Sequence, residues 1–266
     1  MKHYFPGKFF ERDQVNIDLA GCGGTGSQLL TGLARLDHAL KALGHPGLNV
    51  RVFDPDVVTE ANVGRQSFSP YDIGQHKAVV LVTRINQFMG LSWEAYPVYF
   101  NGKLFRNNNL VFFNGRVFDI LVTAVDSAKA RTDIGGVAAN AGYGYWLDTG
   151  NTRDTGQVVL GTLREIKQPS DDCTATLPTI AELYDLRTVK EKDSGPSCSL
   201  EAALKQQDLM VNTMTASWAL HLLWEGFRKG FLTNHGCFVD LKTYRVNPLP
   251  IDPAVWKRMK GGKEKA

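Results

Sequence analysis

VNIDLAGCGGTGSQLLTGLARLDHALKAL, residues 15 to 43, decides the fold. VNIDLA (15–20) suits a strand that ends in a glycine turn. Gly21-Cys22-Gly23-Gly24-Thr25-Gly26 then fits G-x-G-x-x-G, and Leu29, Leu30, Leu33, Leu36, Leu40 and Leu43 recur near helical spacing. Gly44-His45-Pro46-Gly47 stops that helix, and LNVRVFD (48–54) reads as a second strand. By itself the glycine motif is weak, because a tight turn that packs helix on strand shows the same residues. Between a strand and a helix it reads as a nucleotide-binding turn. Glycines let the backbone approach a phosphate, and the helix N-terminus favours its negative charge.

The same alternation continues outward. QHKAVVLVTRINQFM (75–89) predicts a helix, EAYPVYF (94–100) a strand, and VFDILVTAV (117–125) a buried parallel strand. SAKARTDIGGVAANAG (127–142) predicts a third helix and YGYWLDTG (143–150) another strand. This order predicts an α/β fold, a Rossmann-like doubly wound and mainly parallel sheet. QVVLGTL (157–163) adds an antiparallel strand, and CFVDLKT (237–243) with YRVNP (244–248) reads as closing strands. Residues 164–198 are polar and aperiodic, which predicts a long crossover with one helical turn near 179–185. A helix or helix pair follows over 199–228. One domain is expected over residues 1–256, with a frayed basic tail at 257–266.

Composition excludes several classes. Of 266 residues, 43% are hydrophobic and 21% charged, which is a globular and not a disordered balance. A net charge of +3 argues against a dedicated nucleic-acid binder or a polybasic membrane protein. Cys22, Cys173, Cys198 and Cys237 form no C-x-x-C pair, so no structural zinc is expected. No targeting segment is visible. The apolar run 209–224 is interrupted by Asn212, Thr213, Thr215, Ser217 and His221, which reads as a buried helix and not a membrane span. The expected location is the cytoplasm.

Candidate site residues cluster at predicted strand ends. Asp54 ends the second strand, where a carboxylate accepts ribose hydroxyls, a feature that fits NAD, FAD and ATP alike. The stretch from Asp54 to Ala78 adds Asp56, Asn62, Arg65, Gln66 and Lys77. A nicotinamide pocket has no use for two cations there, whereas chemistry at a nucleotide phosphate does. Arg65 can fork onto phosphate oxygens and Lys77 can act as a point charge. Taken singly, each is equally a surface cation. Asp126 follows the strand 117–125, at the edge where such sheets bind ligands. It suits Mg²⁺ among phosphates and also suits capping the next helix. Arg131 is either part of the same site or a helix-face residue.

The G-x-G-G-x-G turn, the D-x-D-x-V-x-x-x-N-x-x-R-Q block, the G-x-x-K at Gly74 to Lys77 and a strand ending in V-D with Arg five residues later occur together. In this the sequence resembles the ThiF/MoeB/HesA superfamily, the ubiquitin-activating-enzyme-like adenylyltransferases. The resemblance is strong over residues 15–150 and looser to about 245. PSCSLEAALKQQDLMVN (196–212) is similar to the ThiF-family member of PRTRC plasmid cassettes.

The resemblance implies binding of ATP and Mg²⁺. It also implies adenylation of a carboxylate, typically the C-terminal glycine of a small ubiquitin-like or sulfur-carrier protein, with loss of pyrophosphate. Carried over by motif, Gly21, Gly23, Gly24 and Gly26 would cradle the nucleotide and Asp54 would hold the ribose. Asn62, Arg65 and Lys77 would contact phosphates, Gln66 would support Arg65 or the phosphates, and Asp126 would bind Mg²⁺. A homodimer is implied too. Three departures stand out. The family's common pair of C-x-x-C motifs is absent, and no separate cysteine domain fits. The N-terminal helix that lends an Arg to the partner subunit is hard to find, and Arg12 is a poor substitute. Cys198 is the thiol in a comparable place to the reactive cysteine of ThiF-like members, which implies a thioester or persulfide role; an inert small residue is the competing reading. Two other functions stay open on the sequence: a non-catalytic ATP-binding scaffold or heterodimer subunit of a plasmid-encoded complex, and an NAD- or FAD-dependent oxidoreductase.

Overall fold

The apolar strands and amphipathic helices assemble as an eight-stranded mixed sheet with helices on both faces. The structure is a computed structural model, and residues 1–11, 13–102, 119–186, 201 and 207–261 are described. Strands β1 (His3–Tyr4), β2 (Val15–Ala20), β3 (Leu48–Phe53), β4 (Glu94–Tyr96), β5 (Ile120–Thr123), β6 (Tyr145–Asn151), β7 (Thr155–Thr162), β8 (Phe231–Leu232), β9 (Asn234–Asp240) and β10 (Arg245–Pro250) alternate with the helices. The helices are α1 (Gly24–Ala42), α2 (Lys77–Met89), α3 (Ala128–Ala141), α4 (Ile180–Leu183), α5 (Val211–Lys229) and α6 (Pro253–Gly261). The sheet order is β10-β9-β7-β6-β5-β2-β3-β4. The strands from β4 to β6 run parallel, and β7, β9 and β10 extend the sheet antiparallel. This is the Rossmann-like α/β architecture the sequence predicts, with antiparallel closing strands. A separate pair, β1 with β8, ties residues 3–4 to residues 231–232.

Alternation along the strands builds two cores. Ile17, Leu19, Val50, Val52, Ile120 and Val122 face one side, where Leu29, Leu30 and Leu33 of α1 and Leu223 of α5 cover them. Ala20, Phe53, Leu121 and Trp146 face the other, against Ile134 and Ala138 of α3, Leu183 of α4 and Met259 of α6. One ion pair interrupts that second face. Asp18 and Arg51 are in register across β2 and β3 and fully buried. Arg51 donates to both carboxylate oxygens at 2.8 and 2.7 Å, and the Tyr143 hydroxyl donates to the same carboxylate.

Several boundaries depart from the expected ones; the long helix expected from 199 begins, among the described residues, at Val211. The strand expected over 94–100 ends at Tyr96, because Pro97 has no N–H for the ladder. That expected over 237–243 starts earlier and ends at Asp240, whose carboxylate takes the N–H groups of Lys242 and Thr243 at 2.9 and 3.1 Å. Its partner runs on to Pro250, past the expected 248. The expected frayed tail is wrong for residues 257–261: they belong to α6. Asp252 accepts from the N–H of Ala254 at 2.8 Å, Pro253 opens the helix, and Val255, Trp256 and Met259 pack on the second core. The helical turn expected near 179–185 is α4, with a capping box between Thr179 and Glu182.

Candidate nucleotide site

The glycine turn is shaped by close backbone approaches. Gly21 has φ +99°, and a Cβ there would lie 2.6 Å from the carbonyl oxygen of Ala124, at the end of β5. A Cβ on Gly26 would lie 1.9 Å from the carbonyl oxygen of Gly21. Any side chain at either place would push strand and helix apart. Gly23 differs: nothing lies within 4 Å of a Cβ built there, so this residue faces open space. Gly24 faces the Asn212 amide instead, 2.5 Å from such a Cβ. The turn and the first turn of α1 thus form a rim at the carboxyl edge of β2, open at Gly23.

Asp54 pins the turn from β3. Its carboxylate accepts from the backbone N–H of Cys22, and from that of Asp56 at 2.9 Å. Burial pushes the Asp54 carboxyl up, and these two hydrogen bonds and the charge of Lys77 oppose the shift. Burial likewise pushes the Cys22 thiol well up, so Cys22 packs as a neutral thiol. Lys77 is buried at the start of α2, and its Nζ donates to Asp56 Oδ2 at 2.9 Å. Only one of three donors is used there, and the Asp56 side chain is 62% exposed.

The loop from Val57 to His76 carries the remaining candidates. Asn62 is buried and structural in part, since its side-chain oxygen accepts from Thr59 N and Oγ1 at 2.9 and 3.1 Å. Ser67 docks the loop on α1 through Ser27 Oγ at 3.4 Å and Gln28 Nε2 at 3.3 Å. Arg65 is half-buried, and desolvation lowers its pKa from the usual guanidinium value. Its Nη1 donates to Gln207 Oε1 at 2.8 Å, while its Nε is buried with no hydrogen-bond partner among the described residues. Gln66 is buried as well, and its Oε1 has no partner.

Asp126 lies at the carboxyl edge of β5 and is exposed. It does not cap α3: Ser127 does, accepting from the N–H of Ala130 at 3.2 Å. Arg131 fixes the turn that presents Asp126. Its Nε and Nη2 donate to the Val125 carbonyl at 3.2 and 2.9 Å, and it lies 3.6 Å from buried Asp148. Arg131 therefore holds the loop instead of lining it.

Sequence reading missed the floor of the site. Asn212, buried at the start of α5, accepts at Oδ1 from Thr25 Oγ1 at 3.0 Å and Asn151 Nδ2 at 2.8 Å. Its Nδ2 donates to Gln207 Oε1 at 3.1 Å. The available signal was a lone amide interrupting an apolar helix start. Cys198 and Arg12 lie outside the described residues. Cys173 is partly exposed in the crossover, and Cys237 is in the core with its thiol pushed up to about 11 by burial. Among the described residues no group of three or more His, Cys, Asp or Glu is arranged to hold a metal ion, and no helix is long and apolar enough to cross a membrane.

The arrangement can therefore take a polyanion at one sheet edge: open backbone at Gly23, two cations from the Asp54–Ala78 stretch, and an exposed carboxylate on the neighbouring strand end. The model of the ThiF family matches residues 12–254. Among curated proteins none matches the chain significantly in sequence. Among solved structures, PaaA superposes with TM-score 0.59 at 14% identity, over 90% of this chain and 64% of that one. MccB of E. coli with ATP superposes with TM-score 0.58 at 15% identity, over 90% and 64%. The microcin C7 biosynthetic enzyme MccB in complex with N-formylated MccA has TM-score 0.58 at 15% identity, over 89% and 64%. At these identities the likeness is one of fold, and the chain spans less than two thirds of each neighbour's length.

Proposed function

The chain belongs to the ThiF family, and from that premise we propose that it binds ATP and adenylates a carboxylate, that of the C-terminus of a small ubiquitin-like or sulfur-carrier-like protein. One observation carries the reading: Arg65, Lys77 and Asp126 converge with the glycine turn on a single sheet edge. The presence of ATP and of N-formylated MccA in structures of MccB supports this reading. In the proposed reaction a carboxylate oxygen attacks the α-phosphorus of ATP. A new P–O bond forms, the bond to the β-phosphate oxygen breaks, and pyrophosphate leaves. The chain's residues supply alignment and charge neutralisation, which suffice for much of the rate in phosphoryl-type transfer.

Gly23 and Gly24 offer backbone to the phosphates, and Asp54 holds the ribose edge while it pins the turn. Arg65, with its orphaned Nε, and Lys77, with spare donors, take the phosphate oxygens. Asn62 and Gln66 support that loop. Asp126 fits Mg²⁺, because a cation shared with substrate phosphates needs only one or two protein carboxylates and this one is free of hydrogen bonds among the described residues. When bound, that ion adds positive charge beside the phosphates. A homodimer and the PRTRC-type setting, with a ubiquitin-like partner encoded nearby, are the finer parts of the same proposal.

The test is ATP–pyrophosphate exchange with the full chain and a candidate carrier ending in glycine. Exchange should require the carrier's C-terminal carboxylate and should drop at least about 100-fold in Lys77→Ala and Asp126→Ala. Unchanged exchange in either variant means the site is wrongly assigned. ATP binding without exchange for any carrier favours a scaffold, and a dinucleotide co-purifying with the chain favours an oxidoreductase.

A further inference from the structure

Gln207 occupies a place where a carboxylate would hold Arg65 more tightly. Its Oε1 is a shared acceptor, taking Arg65 Nη1 at 2.8 Å and Asn212 Nδ2 at 3.1 Å. Its Nε2 donates to the Thr152 carbonyl at 3.4 Å. Asn212 fixes this polarity. Both lone-pair sites of its Oδ1 are used by Thr25 and Asn151, so its amino group must point at Gln207. Two donors then converge on the Gln207 oxygen, and a flipped Gln207 amide would meet both with its own N–H groups. Among the described residues no carboxylate pairs with Arg65. Its buried Nε has no acceptor among the described residues. A neutral anchor removes rotamer freedom from the guanidinium yet leaves its charge uncompensated.

We infer that Gln207 is a positioning residue that presents Arg65, with its full charge, to the nucleotide's phosphates, and that Asn212 sets Gln207 against the glycine turn. The inference rests on the ATP reading above and assigns two residues from the far end of the chain to the same site. It accounts for an amide at 207: glutamate would neutralise Arg65 and compete with the incoming anion, and an apolar residue would release it.

The experiment is equilibrium binding of ATP and of adenosine to the full chain, by titration calorimetry, for wild type, Gln207→Glu and Gln207→Met. Glutamate should weaken ATP binding by about tenfold or more, the order of one charge-assisted contact. Methionine should weaken it by about two- to fivefold, the order of one immobilised side chain. Adenosine, which has no phosphate, should bind all three equally. A purely structural role for Gln207 predicts loss of ATP and adenosine affinity together, and that result overturns the inference. So does a glutamate variant that binds ATP as tightly as wild type. If wild type binds no ATP, the functional reading falls and takes this inference with it. If wild type binds ATP and the glutamate variant is indifferent, only this inference falls.

Discussion

At Gly21 the backbone adopts φ +99°, and a methyl group there would meet the Ala124 carbonyl at 2.6 Å. Gly21→Ala should therefore combine left-handed strain with a backbone clash, costing about 2–4 kcal/mol. A urea midpoint unchanged from wild type would refute that. Gly23→Ala, which meets nothing, should leave the stability read from that midpoint within about 0.5 kcal/mol of wild type. The glycine turn was legible in the sequence because its chemistry is local: six residues and a strand end dictate it. The positions of Asp54 and Asp126 just after β3 and β5 were legible from the apolar strands that precede them. Gln207 and Asn212 were not, since their partners Arg65 and Thr25 lie 142 and 187 residues away. No local pattern records such a pairing. Ser127, not Asp126, caps α3, and sequence could not separate two adjacent good caps.

Strands and helices form the next scale, and here the pair Asp18–Arg51 is the strongest feature. It lies in register across two parallel strands, with Leu121 beside Asp18 and Glu94 beside Arg51 on the flanking strands. Burial raises the Asp18 carboxyl, and the Arg51 hydrogen bonds and charge oppose that. Asp18→Ala should cost about 3–5 kcal/mol, because it strands a buried guanidinium. Asp18→Leu with Arg51→Met should recover most of that loss. Thermal denaturation of the single and double variants decides: a double variant as unstable as Asp18→Ala would show that the pair itself supports the sheet. Strands and helices were read well wherever periodicity was long, as in α1, α2 and the parallel strands. Boundaries failed where one residue intervened. Pro97 cut β4 short, and the Asp252-Pro253 start made a helix of residues expected to fray. Lys and Arg in that segment hid the packing of Val255, Trp256 and Met259.

For the molecule as a whole, acid stability follows from buried imidazoles. His235 is fully buried between β7 and α6: Nδ1 hydrogen-bonds the Leu160 carbonyl at 2.8 Å and the ring meets Trp256 edge-on. Its Nε2 has no partner. Burial lowers its pKa from 6.5 to about 4, with nearby His3 adding to the shift. The unfolded chain thus takes up a proton below pH 6.5 that the folded chain refuses until about pH 4. Stability from this group is complete above about pH 6.5 and is lost as pH falls towards 4, by up to about 3 kcal/mol. His235→Phe should flatten the pH dependence of the urea midpoint over that window. His3, also lowered by burial, keeps a share of it. Equal slopes for wild type and variant would contradict the assignment. The overall architecture was visible from the alternation of elements. What pattern alone did not show was how the first residues join residues 231–251: β1 with β8, and the Met1 amino group donating to the Ile251 carbonyl at 2.9 Å.

The hydrogen bond from Thr25 to Asn212 sets an order in time. The glycine turn is translated first, yet its floor is a residue 187 positions later. On the ribosome the first half of the sheet can pair while the turn still lacks Asn212, Gln207 and the α5 helix that covers α1. Completion of the glycine turn's surroundings then waits until α5 has been made, late in folding. A nascent chain stalled short of α5 carries the glycine motif intact in sequence and incomplete in space.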